Sequence, residues 1–227
     1  MRICQNQIKY SNFNFRMKQA YNFGLHRKEI HLGSNEYLYG FINKKGKWII
    51  NPQYQFAGRT FDKYGYCVAK KEGLYGFINL QGEWLISPSF DALGFGFGRH
   101  QCCPASISKK WGVIDRNGDW IVQPIFESLG IEFDKKGFCP AAQDNKWGFI
   151  NKKGNWIIEP HFDSMYCEPT GTRISSFGDN NTCIVQIEKQ SYRINRKGNI
   201  ESLLKPVAVL DYSALFNLSG FNTIVTY

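Results

Sequence analysis

The stretch Tyr39–Pro52, YGFINKKGKWIINP, returns as Trp147–Pro160, WGFINKKGNWIIEP. The copies differ only at Tyr39/Trp147, Lys47/Asn155 and Asn51/Glu159. Repetition this close makes the period the first thing to find. The turn inside the phrase is the ruler. Asn43-Lys-Lys-Gly46, Asn79-Leu-Gln-Gly82, Asp115-Arg-Asn-Gly118 and Asn151-Lys-Lys-Gly154 stand 36 residues apart, and Asn195-Arg-Lys-Gly198 follows after 44.

The turn has a physical basis. An Asn or Asp side chain caps a type I turn, and a Gly three residues later takes the left-handed conformation of a bulge. β-formers flank each copy, so each reads as a hairpin, with strands near 38–43 and 47–50, then 74–79 and 83–86. Pro52, Pro88, Pro124 and Pro160 follow, and a proline is expected to end each strand because it lacks a ladder donor. An aromatic sits two residues on, at Tyr54, Phe90, Phe126 and Phe162. A third strand precedes each hairpin, at 65–70, 101–106, 137–142 and 181–186, with KEIHLG (28–33) in the same register ahead of the first copy. The unit reads as three short antiparallel strands plus a loop that carries Phe61, Phe97, Phe133 or Phe177, and a fourth short strand has room after the proline.

All six Trp fall at two positions of the unit. Trp48, Trp84, Trp120 and Trp156 follow the turn glycines Gly46, Gly82, Gly118 and Gly154, as residues for the core. Trp111 and Trp147 replace Tyr39 and Tyr75. The next residue is always Gly: Gly40, Gly76, Gly112 and Gly148. Such a strand glycine marks a close approach, here expected from an aromatic of the same or the next unit.

The phrase [WY]-G-[FV]-I-[ND]-x-x-G-x-W-[ILV]-[ILV]-x-P-x-[FY] resembles the bacterial WG repeat family. The resemblance covers four full copies, about residues 30–190, with a degenerate fifth from 191. It implies a β-rich repeat module and no catalytic residues. The fifth copy departs from the pattern, with Tyr192 for Gly and Ile200 for Trp, as a terminal cap would. The expected fold is all-β: tandem repeats of short antiparallel strands in a propeller-like or curved open array. Residues 1–29 are its basic N-terminal cap, 30–190 the four repeats, and 191–227 the degenerate repeat and C-terminal cap. RMKQAYNFGLHRK (16–28) also reads as a short basic amphipathic helix within the first cap.

Bulk composition narrows the class. An apolar content of 43% argues against disorder, and 16% aromatics with 22 Gly favour an aromatic-packed β protein. No apolar run reaches the roughly 18–20 residues of a membrane span. The first residues lack the apolar stretch of a Sec-type signal, with export by another route left open, and seven Cys do not suggest a disulfide framework. A cytoplasmic location is the default expectation. The net charge of +9 is uneven: residues 1–74 carry 13 basic and 4 acidic side chains, and 75–227 carry 15 of each.

Few groups suggest chemistry. Cys67, Cys103 and Cys139 are one period apart and Cys183 follows, so the four share one repeat position. A thiolate metal cluster would need them to converge. Without CxxC pairs, a small buried hydrophobe used four times is the better reading, and neither metal nor cofactor is expected. In Cys102-Cys103 the two side chains point to opposite faces of a strand. GFGFGRH (94–100) aligns with inter-strand loops at 58–64 and 130–136 and lacks the strand–helix frame of a phosphate loop. Asp91, Glu127 and Asp163 follow the repeated Phe and read as turn caps, and His161 as a loop histidine. The eight extra residues of the fourth unit lie within 165–176, where Tyr166, Thr172 and Arg173 are candidate binding residues. The function expected is a non-enzymatic module that binds another protein. Alternatives are nucleic acid or another polyanion at the basic N-terminal third, and glycans on exposed aromatics.

Overall fold

The computed structural model describes residues 23–33, 36–166, 177–178 and 180–204. Among them all regular structure is β-strand. The first sheet holds β1 (Leu25–Gly33), β2 (Glu36–Asn43) and β3 (Trp48–Tyr54). The next four hold four strands each, in chain order. They are β4 (Phe56–Ala57), β5 (Cys67–Lys71), β6 (Leu74–Ile78) and β7 (Trp84–Phe90); β8 (Ala92–Leu93), β9 (Cys103–Ile107), β10 (Lys110–Ile114) and β11 (Trp120–Phe126); β12 (Ser128–Leu129), β13 (Cys139–Gln143), β14 (Lys146–Ile150) and β15 (Trp156–Phe162); and β16 (Ser164–Tyr166), β17 (Thr182–Ile187), β18 (Gln190–Asn195) and β19 (Ile200–Leu204). All pairings are antiparallel. The sheets follow one another as blades, a propeller-like succession.

The Asn/Asp-x-x-Gly turns form as the sequence predicts. Asn43 Oδ1 accepts from the backbone N–H of Lys45 and Lys47 at 2.9 and 3.0 Å, and Asn79, Asp115, Asn151 and Asn195 repeat the pattern. Gly46, Gly82, Gly118, Gly154 and Gly198 all have positive φ.

The prolines do not end the strands. Pro52, Pro88, Pro124 and Pro160 lie inside β3, β7, β11 and β15, which run on to the aromatic. Each of these strands is an outer edge, so the missing donor costs no ladder bond. Each is also bulged twice. In β7 Trp84 pairs with Ile78 and Ile86 with Phe77, which leaves Leu85 extra; Phe90 then pairs with Tyr75, so Ser87, Pro88 and Ser89 face Gly76 alone. That second bulge is what the strand glycine accommodates. A Cβ on Gly76 would lie 2.4 Å from the Ile86 carbonyl oxygen, and Gly40, Gly112 and Gly148 meet the same 2.4 Å limit. The neighbour expected to be an aromatic ring is backbone, joined by an indole only at Gly112, where Trp120 is 2.7 Å away. The short strand after each aromatic exists and opens the next sheet, so the unit has four strands, not three.

The core lies between sheets, in four seams. The first joins Phe41, Ile50 and Tyr54 to Phe61, Cys67 and Ile78; the second joins Val68, Phe77, Ile86 and Phe90 to Phe97, Cys103 and Ile114. The third and fourth repeat this one period on, with Phe133 and Cys139, then Phe177 and Cys183. The Trp residues other than Trp48 stand at the seams, half-buried. Trp84 meets Tyr54 edge-on at 5.6 Å, Trp120 meets Phe90 at 5.8 Å, and Trp156 meets Phe126 at 5.5 Å. Each such pair adds about 0.5–1.5 kcal/mol beyond burial. The turn glycine of each sheet seats on an aliphatic of the sheet before it: Gly82 on Ile50, Gly118 on Ile86, Gly154 on Val122 and Gly198 on Ile158.

The first strand departs from the expected register. Phe77 pairs with Val68, but its equivalent Phe41 pairs with Arg27, not with Leu32, the residue 36 before Val68. The strand has slipped by five. His26 and Lys28 therefore stand where Cys67 and Ala69 stand in the second sheet, and residues 31–37 replace the two-residue turn Glu72-Gly73. Lys28 Nζ sits 5.8 Å above the Trp48 ring, which has no preceding sheet among the described residues. Leu25–Lys28, the end of the segment read as a helix, are strand, and 16–22 lie outside the described residues. At the other end Arg193 and Ser202 replace the Phe and the aliphatic of the inner sheets. Charged or polar groups thus replace core residues on both terminal faces: His26 and Lys28 on the first, Arg193 and Ser202 on the last.

Candidate binding surface

Two ends of the strands carry the variable chemistry. At one end lie the Asn/Asp-x-x-Gly turns. They present Lys44, Lys45, Lys47, Arg116, Lys152, Lys153, Arg196 and Lys197 against Glu83, Asp115 and Asp119. Asp115 is already occupied, because its Oδ1 accepts two backbone N–H groups. This end is strongly cationic. The basic character read as belonging to residues 1–74 also extends to the fourth and fifth sheets.

Three of these turn residues serve the fold as well. Leu80 joins the first seam. Arg116 stacks on Tyr64 at 4.4 Å, and the Tyr66 hydroxyl donates to its carbonyl. Arg196 donates to Asp134 Oδ2 at 2.6 Å, with the two side chains only 15% and 9% exposed, and lies 4.7 Å over the Phe177 ring. Asp134 Oδ1 also caps Lys136 and Phe138, in a second Asx turn that Asp62 repeats at Tyr64 and Tyr66. Asp62-Lys-Tyr-Gly65 and Asp134-Lys-Lys-Gly137 carry the same signature as the main turn. The alternate copies, Gly98–Gln101 and Gly178–Asn181, hide that period. His100 Nε2–H donates to the Asp134 carbonyl at 2.6 Å and ties its loop to the next sheet. GFGFGRH is a seam loop, with Phe97 buried and its N–H donating to Asp62 Oδ2.

At the opposite end the hairpins are two-residue turns with positive φ at both centres, such as Asp144 and Asn145 or Glu188 and Lys189. The residue after each repeated aromatic caps them. Gln55 accepts from Gly73 N–H, Asp91 from Lys109, Glu127 from Asn145 and Asp163 from Glu188. The cap reading of Asp91, Glu127 and Asp163 holds. Lys146 also bonds Asp163, and with the Glu188 N–H it holds that carboxyl below the usual range. His161 is exposed and bonds its own strand at Glu159.

The repeated thiols do not converge. Cys67, Cys103, Cys139 and Cys183 lie in four different seams, all buried. Burial pushes the Cys67 thiol up to about 12 and raises those of Cys103 and Cys139 as well. Among the described residues no three His, Cys, Asp or Glu side chains stand close enough to hold a metal ion. Cys102 and Cys103 enter different seams, as opposite faces of a strand dictate. The indoles of Trp84, Trp120 and Trp156 are half-buried, each packed against the neighbouring sheet.

Of the candidate binding residues, Tyr166 is the last residue of β16, paired with Ile184, and Thr172 and Arg173 lie outside the described residues. Each outer strand exposes one aliphatic at its first bulge: Ile49, Leu85, Ile121 and Ile157, between 41% and 47% exposed. Bulges and prolines make these edges poor acceptors of a further strand.

A family profile described as WG containing repeat matches residues 39–75, 75–97, 111–147 and 147–168, together more than half of the chain. No curated protein matches the sequence. Similar solved structures include a protein of unknown function from Bacteroides caccae, at 13% identity, covering 80% of this chain and 73% of that one, with a TM-score of 0.34. Another is described as the eukaryotic initiation factor, at 8% identity, 81% and 52% coverage, TM-score 0.49. A third is Hsv2p of Kluyveromyces lactis, at 11% identity, 70% and 56% coverage, TM-score 0.43.

Proposed function

The chain belongs to the WG containing repeat family, and we propose that it works as a non-enzymatic module that binds another protein. One observation carries the reading. Every recurring residue of the phrase is committed to the fold: the Gly faces a bulge, the Asn caps a turn, the Trp fills a seam. What changes from sheet to sheet is the pair inside the turn, Lys44-Lys45, Leu80-Gln81, Arg116-Asn117, Lys152-Lys153 and Arg196-Lys197, whose second residue is exposed in every copy. A scaffold that holds itself constant and varies its loops is built for recognition.

The test is affinity capture from the source organism with the full chain, beside a variant with Lys44, Lys45, Lys152 and Lys153 all changed to Glu. These side chains are exposed, so the fold should keep its thermal midpoint. Proteins enriched on the natural chain and lost from the variant support the module and its cationic end. Equal capture by both moves the surface elsewhere. Capture of nothing by either removes the reading.

The same cations favour a second reading, a polyanion such as nucleic acid. If about four phosphates are contacted, affinity for a duplex probe should fall about 10²-fold between 50 and 200 mM salt. A flat salt response removes this reading.

A further inference from the structure

We propose that the outward edge of β1 is a strand-addition site for an extended acidic segment of the partner protein, an inference that rests on the binding-module reading. The other four sheets each place a short strand at this edge: β4 on β5, β8 on β9, β12 on β13 and β16 on β17. In the first sheet β1 is itself the edge strand, and no described strand lies along it.

Among the described residues this edge is built unlike the others. β1 runs nine residues, without proline, and its pairing with β2 is regular from Leu25 to His31. The outer edges β3, β7, β11 and β15 are interrupted twice each and the five-residue β19 once, and the other inner edges are strands of two or three residues. A long regular edge is the geometry that accepts an added strand.

The register shows which backbone groups point outward. In β5 the Val68 and Lys70 carbonyls accept bonds from the β4 side. Their counterparts, by pairing with β2, are Arg27 and Glu29. An added strand would bond there and set its side chains beside those of β1. On the terminal face these are His26 and Lys28, then Ile30 and Leu32, which are 38% and 56% exposed. The fitting segment carries carboxylates opposite the Lys28 end and aliphatic side chains opposite Ile30 and Leu32. Arg27 and Lys28, against the single Glu29, set the sign of the partner's charge.

The probe is a fluorescein-labelled peptide, Val-Thr-Val-Thr-Glu-Thr-Glu, titrated by anisotropy against the full chain, with Lys replacing Glu in the control. The acidic peptide should bind, the basic one should not, and the peptide should protect the Arg27 and Glu29 amides from hydrogen exchange. Glu29→Pro removes an outward N–H without touching the β2 ladder. It also removes a negative charge, so simple electrostatics would tighten binding; strand addition instead weakens it about 10-fold or more. Lys28→Gln should weaken it several-fold. Equal binding by Glu29→Pro, no preference for the acidic peptide, or no binding at all overturns the proposal. So do Arg27 and Glu29 amides already protected in the free chain: at every concentration another segment of this chain holds the edge, and with rising concentration a second copy does. Should Glu29→Pro fail to fold, exchange on the natural chain decides alone. A chain that captures partners but fails here loses this edge and keeps the module reading.

Discussion

Gly76→Ala tests the architecture of the repeat at its tightest point. The added Cβ would stand 2.4 Å from the Ile86 carbonyl oxygen and 2.9 Å from both Pro88 N and Ser87 C. All three atoms are backbone, so no rotamer change relieves the clash. The β7 bulge must retreat by about 1 Å, which opens its pairing with β6. Forcing extra volume into a packed site costs about 1–3 kcal/mol, and an immovable neighbour puts this case at the top, about 3 kcal/mol. For a chain of this length each kcal/mol lowers the thermal midpoint by about 2–4 °C, so the loss should be about 6–12 °C. Gly46→Ala is the control. Its φ of 78° strains an alanine, but its Cβ would meet nothing within 4 Å. The left-handed conformation alone costs about 1–2 kcal/mol. The assay is thermal unfolding followed by tryptophan fluorescence. The reasoning fails if Gly76→Ala melts within about 2 °C of the natural chain, or if a second change, Trp84→Leu, rescues it.

Three further outcomes follow from the seams. Asp134→Asn keeps the turn cap but strips the partly buried Arg196 of its charge partner, and should cost about 1.5–3 kcal/mol; a double-mutant cycle with Arg196→Met should return a coupling near 1 kcal/mol or more. Tyr54→Phe loses one hydroxyl bond to the Gly82 carbonyl, 2.6 Å, and should cost only about 1 kcal/mol by urea unfolding, because Phe90, Phe126 and Phe162 fill the same slot without a hydroxyl. Alkaline pH should unfold the protein. The Cys67 thiol, pushed up to about 12, stays protonated in the fold while the unfolded chain gives up its proton from about pH 8.5. The folded state then binds more protons, so stability is full below that pH and falls by up to about 1.4 kcal/mol per pH unit toward pH 12. Cys67→Ala should flatten the decline between pH 9 and 11, measured by thermal midpoint at each pH.

Turn chemistry was legible because it is local. Asn43 to Gly46 needs only its own side chain and its own φ, and the loop residues Phe61, Phe97, Phe133 and Phe177 could be aligned by period alone, though their place in the seams could not. Pro52 and its copies misled because a proline carries two meanings on an outer strand. It stops a ladder, or it marks a bulge in an edge that needs no donor. Gly40 had the same ambiguity: a close neighbour was readable, but whether it was ring or backbone depends on a bulge formed by residues ten or more away. The register of β1 was hidden because KEIHLG sits at the right spacing while the pairing is decided by Arg27, which stacks on Tyr39 at 4.8 Å and donates to the Ala57 carbonyl. The cationic end emerges only when the turns are gathered to one side, since Lys44 and Lys197 are far apart in the chain.

Because every core lies between two sheets and uses the same residues on each side, the number of sheets is free to change while the chemistry of the joint stays fixed. Excising residues 83–118 would bring Gly82 onto Asp119 and offer Trp120 to Tyr54 in place of Trp84. An excision of half that length would present a loop where an indole belongs. Such a gene can grow or shrink by copying errors of one whole period without relearning how to fold, and each gain adds another turn whose two central residues are open to selection.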